Sequence, residues 1–259
     1  MKYRYSDESL LELAAELAVR AGRLILECRA RGIAVTAKAD RSVVTDADNA
    51  AEALILEGLR RADPGVPIIA EEATAAGEAP ETAGEYWLVD PLDGTREFAA
   101  GLDDFAVNVG LVRDGRPVLG AVDVPARGAV FCGMVGGAAF RRDAAGTTAI
   151  TARTVPDRGL TLLVSRFHGS SVVDLPPRLR GHAVYDSIRM GSAAKFCVLA
   201  EGGGDFYPRR GRTMEWDTAA PQALVEAAGG AVLRMDDDTI LRYGKPGWEN
   251  PSFYVVGRP

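Results

Sequence analysis

The stretch from Phe105 to Phe140 constrains the fold more than any other part of the chain. Phe105 to Val112 and Val118 to Val124 are apolar, β-branched runs flanking Arg113-Asp-Gly-Arg-Pro117, a sequence that joins neighbouring antiparallel strands. Ala129 to Val135 and Ala138 to Phe140 extend the pattern across Gly136-Gly137, so the spacing predicts an antiparallel meander. Helices come first. From Ser6 or Asp7, residues Leu10, Leu13, Leu17, Ala21, Leu24 and Cys28 recur at three- and four-residue steps with charges between them. After a polar loop (Lys38 to Arg41) and a β-branched Val43-Val44-Thr45, Asp46 to Arg61 resumes that spacing and stops at Asp63-Pro64-Gly65. Pro67 to Ala70 and Tyr86 to Val89 are short apolar runs bounded by breakers, hence buried strands.

The polar segment Arg141 to Gly159, which carries Pro156, is the candidate boundary. It separates an α+β half, residues 1–150, from an α/β half, residues 151–259. In the second half, strand-like Leu160 to Ser165 and Ala183 to Met190 alternate with helical Ser192 to Glu201 and Asp217 to Ala228.

Charge narrows the function classes. The 36 Asp plus Glu exceed the 30 Lys plus Arg, which argues against a protein that binds polymeric nucleic acid and needs a basic footprint. No apolar run reaches the length that spans a bilayer, so no transmembrane segment is expected. The N-terminal MKYRYSDESL has no apolar signal core, and three widely spaced cysteines fit reduced thiols. The expected location is the cytoplasm, with a peripheral position on the inner membrane left open.

The chemistry concentrates in Trp87-Leu-Val-Asp90-Pro-Leu-Asp93-Gly-Thr95-Arg-Glu-Phe98. An apolar strand runs into two carboxylates three residues apart, with Pro91 and Gly94 at the bend. Their short stems can aim at one point, and the Leu92 carbonyl between them adds a third oxygen. Hard cations such as Mg²⁺ prefer such an all-oxygen set. A multi-histidine zinc site is nearly excluded, because the only histidines are His168 and His182. Taken singly, Asp-Pro and Asp-Gly are common turn dipeptides. Glu71-Glu72, after Ile68-Ile69-Ala70, reads most simply as a pair of solvated acids. Asp217 reads most simply as the N-cap of the helix that follows it, although a capping carboxylate keeps a second oxygen for a metal. Arg96 and Glu97 read as a surface pair and receive no role. An EF-hand from Asp46 and Asp48 to Glu57 is rejected, because Ala51 stands where its glycine must be.

Together these segments resemble the inositol monophosphatase superfamily of metal-dependent, lithium-sensitive phosphatases. The resemblance is carried by Lys38-x-Asp40-x-Ser42-x-Val44-Thr45-x-x-Asp48, Glu71-Glu72, Asp90 to Phe98, Gly191-Ser192 and Trp216-Asp-Thr-Ala-Ala220, in the family's order over nearly the whole chain. Within the superfamily, several details are similar to the bacterial 3′(2′),5′-bisphosphate nucleotidases. These are Arg96-Glu-Phe98, Ser165-Arg-x-His168, Gly191-Ser-x-x-Lys195-Phe-Cys197 and Tyr207-Pro-Arg209. Pro221 departs from the Gly-His that commonly follows Thr-Ala-Ala there.

The resemblance implies an α/β fold: a layered αβαβα sandwich with mixed and antiparallel sheets and a site between its halves. It implies Mg²⁺ as cofactor, two or three ions. Glu71, Asp90 and the Leu92 carbonyl would hold one, and Asp90, Asp93 and Asp217 a second. Thr95 would orient the nucleophilic water, with Asp48 accepting the threonine proton. Ser192 and Lys195 would lie near the second phosphate of a nucleotide with Arg209 nearby, and His168 against the adenine. Glu71, Leu92, Asp93, Gly94, Thr95 and Asp217 complete the implied substrate contacts. The implied reaction is attack of a metal-activated water on the 3′-phosphate of adenosine 3′,5′-bisphosphate, giving AMP and phosphate, a step of sulfur assimilation. The implied partner is a small phosphorylated nucleotide; the oligomeric state stays open. An inositol or sugar monophosphatase is the alternative in the same class, and a silent metal- or nucleotide-binding regulator the alternative outside it. The five acids assigned to the site, Asp48, Glu71, Asp90, Asp93 and Asp217, match most of the net charge of −6.

Overall fold

A computed structural model describes residues 5–32, 35–37, 43–78, 80–82, 84–157, 159–167 and 175–258. Helix α1 (Asp7–Arg31) begins where the Ser6 hydroxyl accepts the N–H of Ser9. An antiparallel pair, β1 (Val35–Ala37) and β2 (Val43–Thr45), leads into α2 (Asp46–Ala62). Then come β3 (Ile68–Ala70), α3 (Glu71–Ala75), β4 (Glu85–Asp93) and α4 (Thr95–Ala99). The meander follows as β5 (Ala106–Arg113), β6 (Arg116–Val124), β7 (Ala129–Met134), β8 (Ala139–Asp143) and β9 (Gly146–Ala149). These strands form one seven-stranded sheet in the order β3-β4-β5-β6-β7-β8-β9, antiparallel except where β3 pairs with β4. The hairpin between β5 and β6 turns on Asp114 and Gly115, both left-handed at φ 52° and 72°, as the Asp-Gly pair requires. The meander also runs past its expected end, since part of the polar segment after Arg141 forms the β8–β9 hairpin.

A second, five-stranded mixed sheet combines β10 (Leu160–Ser165), β11 (Val184–Met190), β12 (Phe206–Arg209), β13 (Ala231–Arg234) and β14 (Phe253–Val256), ordered β11-β10-β12-β14-β13. Helices α5 (Ala194–Ala200) and α6 (Ala219–Ala227) lie between the two sheets. One face of the first sheet packs on α1 and α2 through Trp87, Val89, Leu111 and Leu119. The other joins α5, α6 and the second sheet in a shared core that includes Val122, Phe131, Leu224, Leu163 and Val255. The layers are therefore helices, sheet, helices, sheet, and among the described residues the outer face of the second sheet is covered by the turn at Leu179. No helix among the described residues is long and apolar enough to cross a membrane. Cys28, Cys132 and Cys197 are free, the last two buried.

Three glycines bring α6 down onto the first sheet. Gly110, Gly120 and Gly133 are cross-strand partners on β5, β6 and β7, so they share a face. A Cβ on Gly110 would lie 2.7 Å from the Ala220 nitrogen, one on Gly120 2.5 Å from the Ala220 oxygen, and one on Gly133 2.5 Å from the Leu224 Cα. The sheet thus presents a side-chain-free stripe on which the helix rests by its backbone. This seat fixes the start of α6, two residues beyond Asp217. Gly120→Val will force the helix off the stripe, at a cost of about 1–3 kcal/mol from overpacking. For a chain of this size that is a fall in Tm of several degrees, at about 2–4 °C per kcal/mol. A wild-type melting curve for the variant would show that α6 is not seated in this way.

Candidate active site

On a regular strand, residues three apart face opposite sides. In β4, Asp90 pairs with Asn108 but Asp93 pairs with Ala106, so one extra residue bulges out between the two acids. Asn108 and Ala106 share a face, and Asp90 and Asp93 therefore do too: the face turned toward α6. Pro91 sits in the bulge, where its missing N–H costs no ladder bond. Leu92 turns its side chain into the α1–α2 core, and its N–H donates to Asp90 Oδ1 at 3.0 Å. Gly94, at φ 93°, swings the chain into α4; a Cβ there would lie 2.9 Å from the Asp104 carbonyl oxygen. Thr95 opens α4, and its hydroxyl lies 3.3 Å from Asp48 Oδ1 and 3.1 Å from the Leu92 carbonyl, either of which can accept its hydrogen. Asp48 is buried on the inner face of α2.

Glu71 is the first residue of α3, directly after β3. The N–H groups of Glu72 and Ala73 donate at 2.8 Å to the two carboxylate oxygens of Glu52. Glu52 lies one helical turn beyond Asp48 on the same buried face, so α2 sends one acid to Thr95 and the next to the base of α3. Asp217 is not the N-cap of α6. Thr218 holds that position without a side-chain cap bond, while Asp217 Oδ2 accepts the N–H of Met214 at 2.9 Å. The carboxylate folds back on the preceding turn, and α6 rests on the glycine stripe without a side-chain cap.

The acids strain one another electrostatically. Burial pushes the Asp90 carboxyl well above the usual range, and the charges of Glu71, Asp93 and Asp217 push it further. Asp217 is pushed up to about 7, by burial first and by Asp93 next. Asp93 is raised by burial against the pull of Lys195, the Ala193 N–H and Arg209. Among the described residues, no group of three or more His, Cys, Asp or Glu side chains is arranged so that it could hold a metal ion as it stands. The donor set is still all oxygen and mutually repelling, the character of a site for hard divalent cations.

Across the cleft, Ser192, at φ 50°, forms a turn whose next residue, Ala193, donates its N–H to Asp93 Oδ2. Lys195 is 3% exposed; its Nζ donates to the Ser192 carbonyl at 2.7 Å and stands 5.0 Å from the centre of the Tyr207 ring. Burial draws its ammonium down to about 8, and Asp93 pulls it back up. A solvated helical lysine is thus ruled out. Arg209 ends β12 with Nε on Thr213 Oγ1 at 2.7 Å and Nη2 on the Arg212 carbonyl at 2.8 Å. Glu71, Asp93, Gly94, Thr95, Ser192, Lys195, Arg209 and Asp217 line this one cleft; Asp48, Asp90 and Leu92 stand buried behind it. His168 lies outside the described residues, as do Lys38, Asp40 and Ser42.

Two further acids belong to the site region. Glu97, read from sequence as half of a surface pair, is buried, lines the cleft and packs on Gly191; only Arg96 is exposed. A five-residue helix has too little periodicity to show its buried side. Asp104 Oδ2 accepts the Gly191 N–H at 3.2 Å and the Arg166 guanidinium, joining the loop before β5 to the ends of β10 and β11.

A sequence model of the inositol monophosphatase family matches residues 6–254. The 3′(2′),5′-bisphosphate nucleotidase CysQ of Salmonella typhimurium is 36% identical over 249 residues, covering 95% of this chain and 99% of that protein. The crystal structure of CysQ from Bacteroides thetaiotaomicron, 29% identical, aligns with a TM-score of 0.79 over 98% of each chain. An inositol monophosphatase from Anabaena, 27% identical, aligns with a TM-score of 0.73 over 97% of this chain and 91% of its own. Sequence match and fold agree over nearly the full length, and the chain belongs to the inositol monophosphatase family.

Proposed function

We propose that this protein is a Mg²⁺-dependent 3′(2′),5′-bisphosphate nucleotidase that removes the 3′-phosphate of adenosine 3′,5′-bisphosphate, leaving AMP. The observation that carries this reading is the pairing, in one cleft, of an acidic cluster with two fixed cations, Lys195 and Arg209. A monoester needs only the acidic end; a substrate with a second phosphate uses both. The nucleotidase relatives, similar over nearly their whole length, favour the same substrate class.

Members of the family are typically metal-dependent. Glu71, Asp90 and the Leu92 carbonyl would hold one Mg²⁺, and Asp90, Asp93 and Asp217 a second, which relieves the repulsion that pushes Asp90 and Asp217 upward. Such cations neutralise the phosphoryl group and stabilise the attacking and leaving oxygens of an in-line displacement. The chain's own part is orientation and proton placement. When the Thr95 hydroxyl donates to buried Asp48, its oxygen lone pairs remain to accept a hydrogen from the attacking water. The Ala193 N–H fixes Asp93, and Thr213 together with the Arg212 carbonyl fixes Arg209 for the second phosphate.

Lys195→Ala separates this reading from an inositol or sugar monophosphatase. Loss of a charged hydrogen bond to the second phosphate is expected to lower kcat/KM for adenosine 3′,5′-bisphosphate about 10- to 100-fold. Phosphate release from inositol 1-phosphate should fall far less. Equal losses on the two substrates favour the monophosphatase, and Mg²⁺-dependent nucleotide binding with no turnover at all favours a silent regulator.

A further inference from the structure

One buried acid in the cleft has no task in the reaction as proposed. Glu97 is 6% exposed and lines the cleft, and its carboxylate accepts its own backbone N–H. A carboxylate has room for about four hydrogen bonds, so this one bond leaves it able to accept from a ligand that enters the cleft. Its position is also prepared. A Cβ on Gly191 would lie 2.6 Å from the Glu97 Cδ, so the glycine gives up its side-chain space to the acid. The Gly191 N–H is in turn held by Asp104.

Packing on Gly191 sets Glu97 beside the Ser192 turn, in a cleft it shares with Asp93 and Lys195. The charges of Asp93, Lys195 and Asp104 all act on it. A nucleoside 3′,5′-bisphosphate with its 3′-phosphate at the acidic cluster and its 5′-phosphate toward Lys195 and Arg209 has its ribose between them. In such a nucleotide the ribose carries one free hydroxyl, the 2′-OH, vicinal to the scissile ester. A carboxylate accepts a hydroxyl hydrogen and repels phosphate, so of the groups on this stretch of substrate only the 2′-OH suits it.

We infer that Glu97 is a specificity-determining residue that accepts a hydrogen bond from the ribose 2′-hydroxyl, so that the enzyme selects ribonucleoside over 2′-deoxyribonucleoside 3′,5′-bisphosphates. This rests on the nucleotidase reading and sharpens its substrate class. An acceptor in the cleft that the deoxy substrate leaves without its ligand hydrogen is what turns one missing hydroxyl into discrimination.

The test measures kcat/KM for adenosine 3′,5′-bisphosphate and its 2′-deoxy analogue with wild type, Glu97→Ala and Glu97→Gln. Wild type should prefer the ribonucleotide about 10- to 100-fold, the range of one hydrogen bond to a charged group. Glu97→Ala should lose most of that preference, through the ribonucleotide alone. No preference in wild type, or equal losses on both substrates, overturns the assignment and leaves Glu97 as a prop for Gly191. Should the alanine variant not fold, Glu97→Gln keeps the shape but exchanges the charged acceptor for a neutral amide; a preference undiminished there overturns it as well. If wild type releases no phosphate from the ribonucleotide yet hydrolyses inositol 1-phosphate, the nucleotidase reading itself has failed and this inference with it. Every other outcome leaves that reading intact.

Discussion

Asp93→Asn will lower kcat/KM for adenosine 3′,5′-bisphosphate by at least about 10³-fold, or about 4 kcal/mol of transition-state stabilisation. The residue is placed where three demands meet. The β4 bulge turns it to the same face as Asp90, the Ala193 N–H holds one of its oxygens, and Lys195 and Arg209 act on its charge from the cationic side of the cleft. An asparagine can keep the Ala193 bond through its amide oxygen, so the fold should survive. It cannot supply the second anionic oxygen that a divalent cation needs. Thermal denaturation separates the two effects. Without metal, the variant should melt no lower than wild type, because one of several mutually repelling buried charges is gone. The increase in Tm that Mg²⁺ gives wild type should shrink, since a ligand stabilises only in proportion to its binding. Turnover close to wild type would remove Asp93 from the reaction.

How much of this site the sequence could disclose follows from which contacts are local. Asp90, Leu92, Asp93, Gly94 and Thr95 are contiguous, and the strand, bend and helix start that carry them are readable from Trp87 to Phe98. The bulge that makes a three-residue spacing productive is not readable, because it is set by pairing with β5. Asp217 shows the same limit. Its place just before a helix suggests capping, yet the helix is seated by Gly110, Gly120 and Gly133 from three different strands, and the carboxylate turns back to Met214. Glu52 and Glu97 sit in helices as ordinary-looking acids. Their burial comes from α3 and Gly191, partners that a local reading cannot place. The meander was legible up to β8 because Asp114-Gly115 and Gly136-Gly137 set its apolar runs apart. Its β9 edge strand has four exposed residues, hence no apolar signal to read.

Thr95→Ala and Asp48→Asn should each lower kcat by about 10²- to 10⁴-fold, the usual worth of a positioned acid–base group. Their combination should be hardly worse than either alone. The reason is the direction of one hydrogen. Thr95 has a single hydroxyl hydrogen and two possible acceptors, Asp48 Oδ1 at 3.3 Å and the Leu92 carbonyl at 3.1 Å. Either choice points the hydrogen away from the cleft, and only Asp48 can also take on a proton. Removing the hydroxyl leaves the attacking water without its acceptor; replacing Asp48 leaves the hydroxyl without a proton sink. Because the two act as one relay, the double variant has little further to lose, and a coupling energy close to the smaller single loss is expected. KM should move little in all three proteins, since neither residue is assigned to the second phosphate. Thr95→Ser, which restores a hydroxyl at the same backbone position, should recover most of the rate. Additive losses in the double variant would show that Asp48 supports the fold of α2 and α4 rather than the proton path.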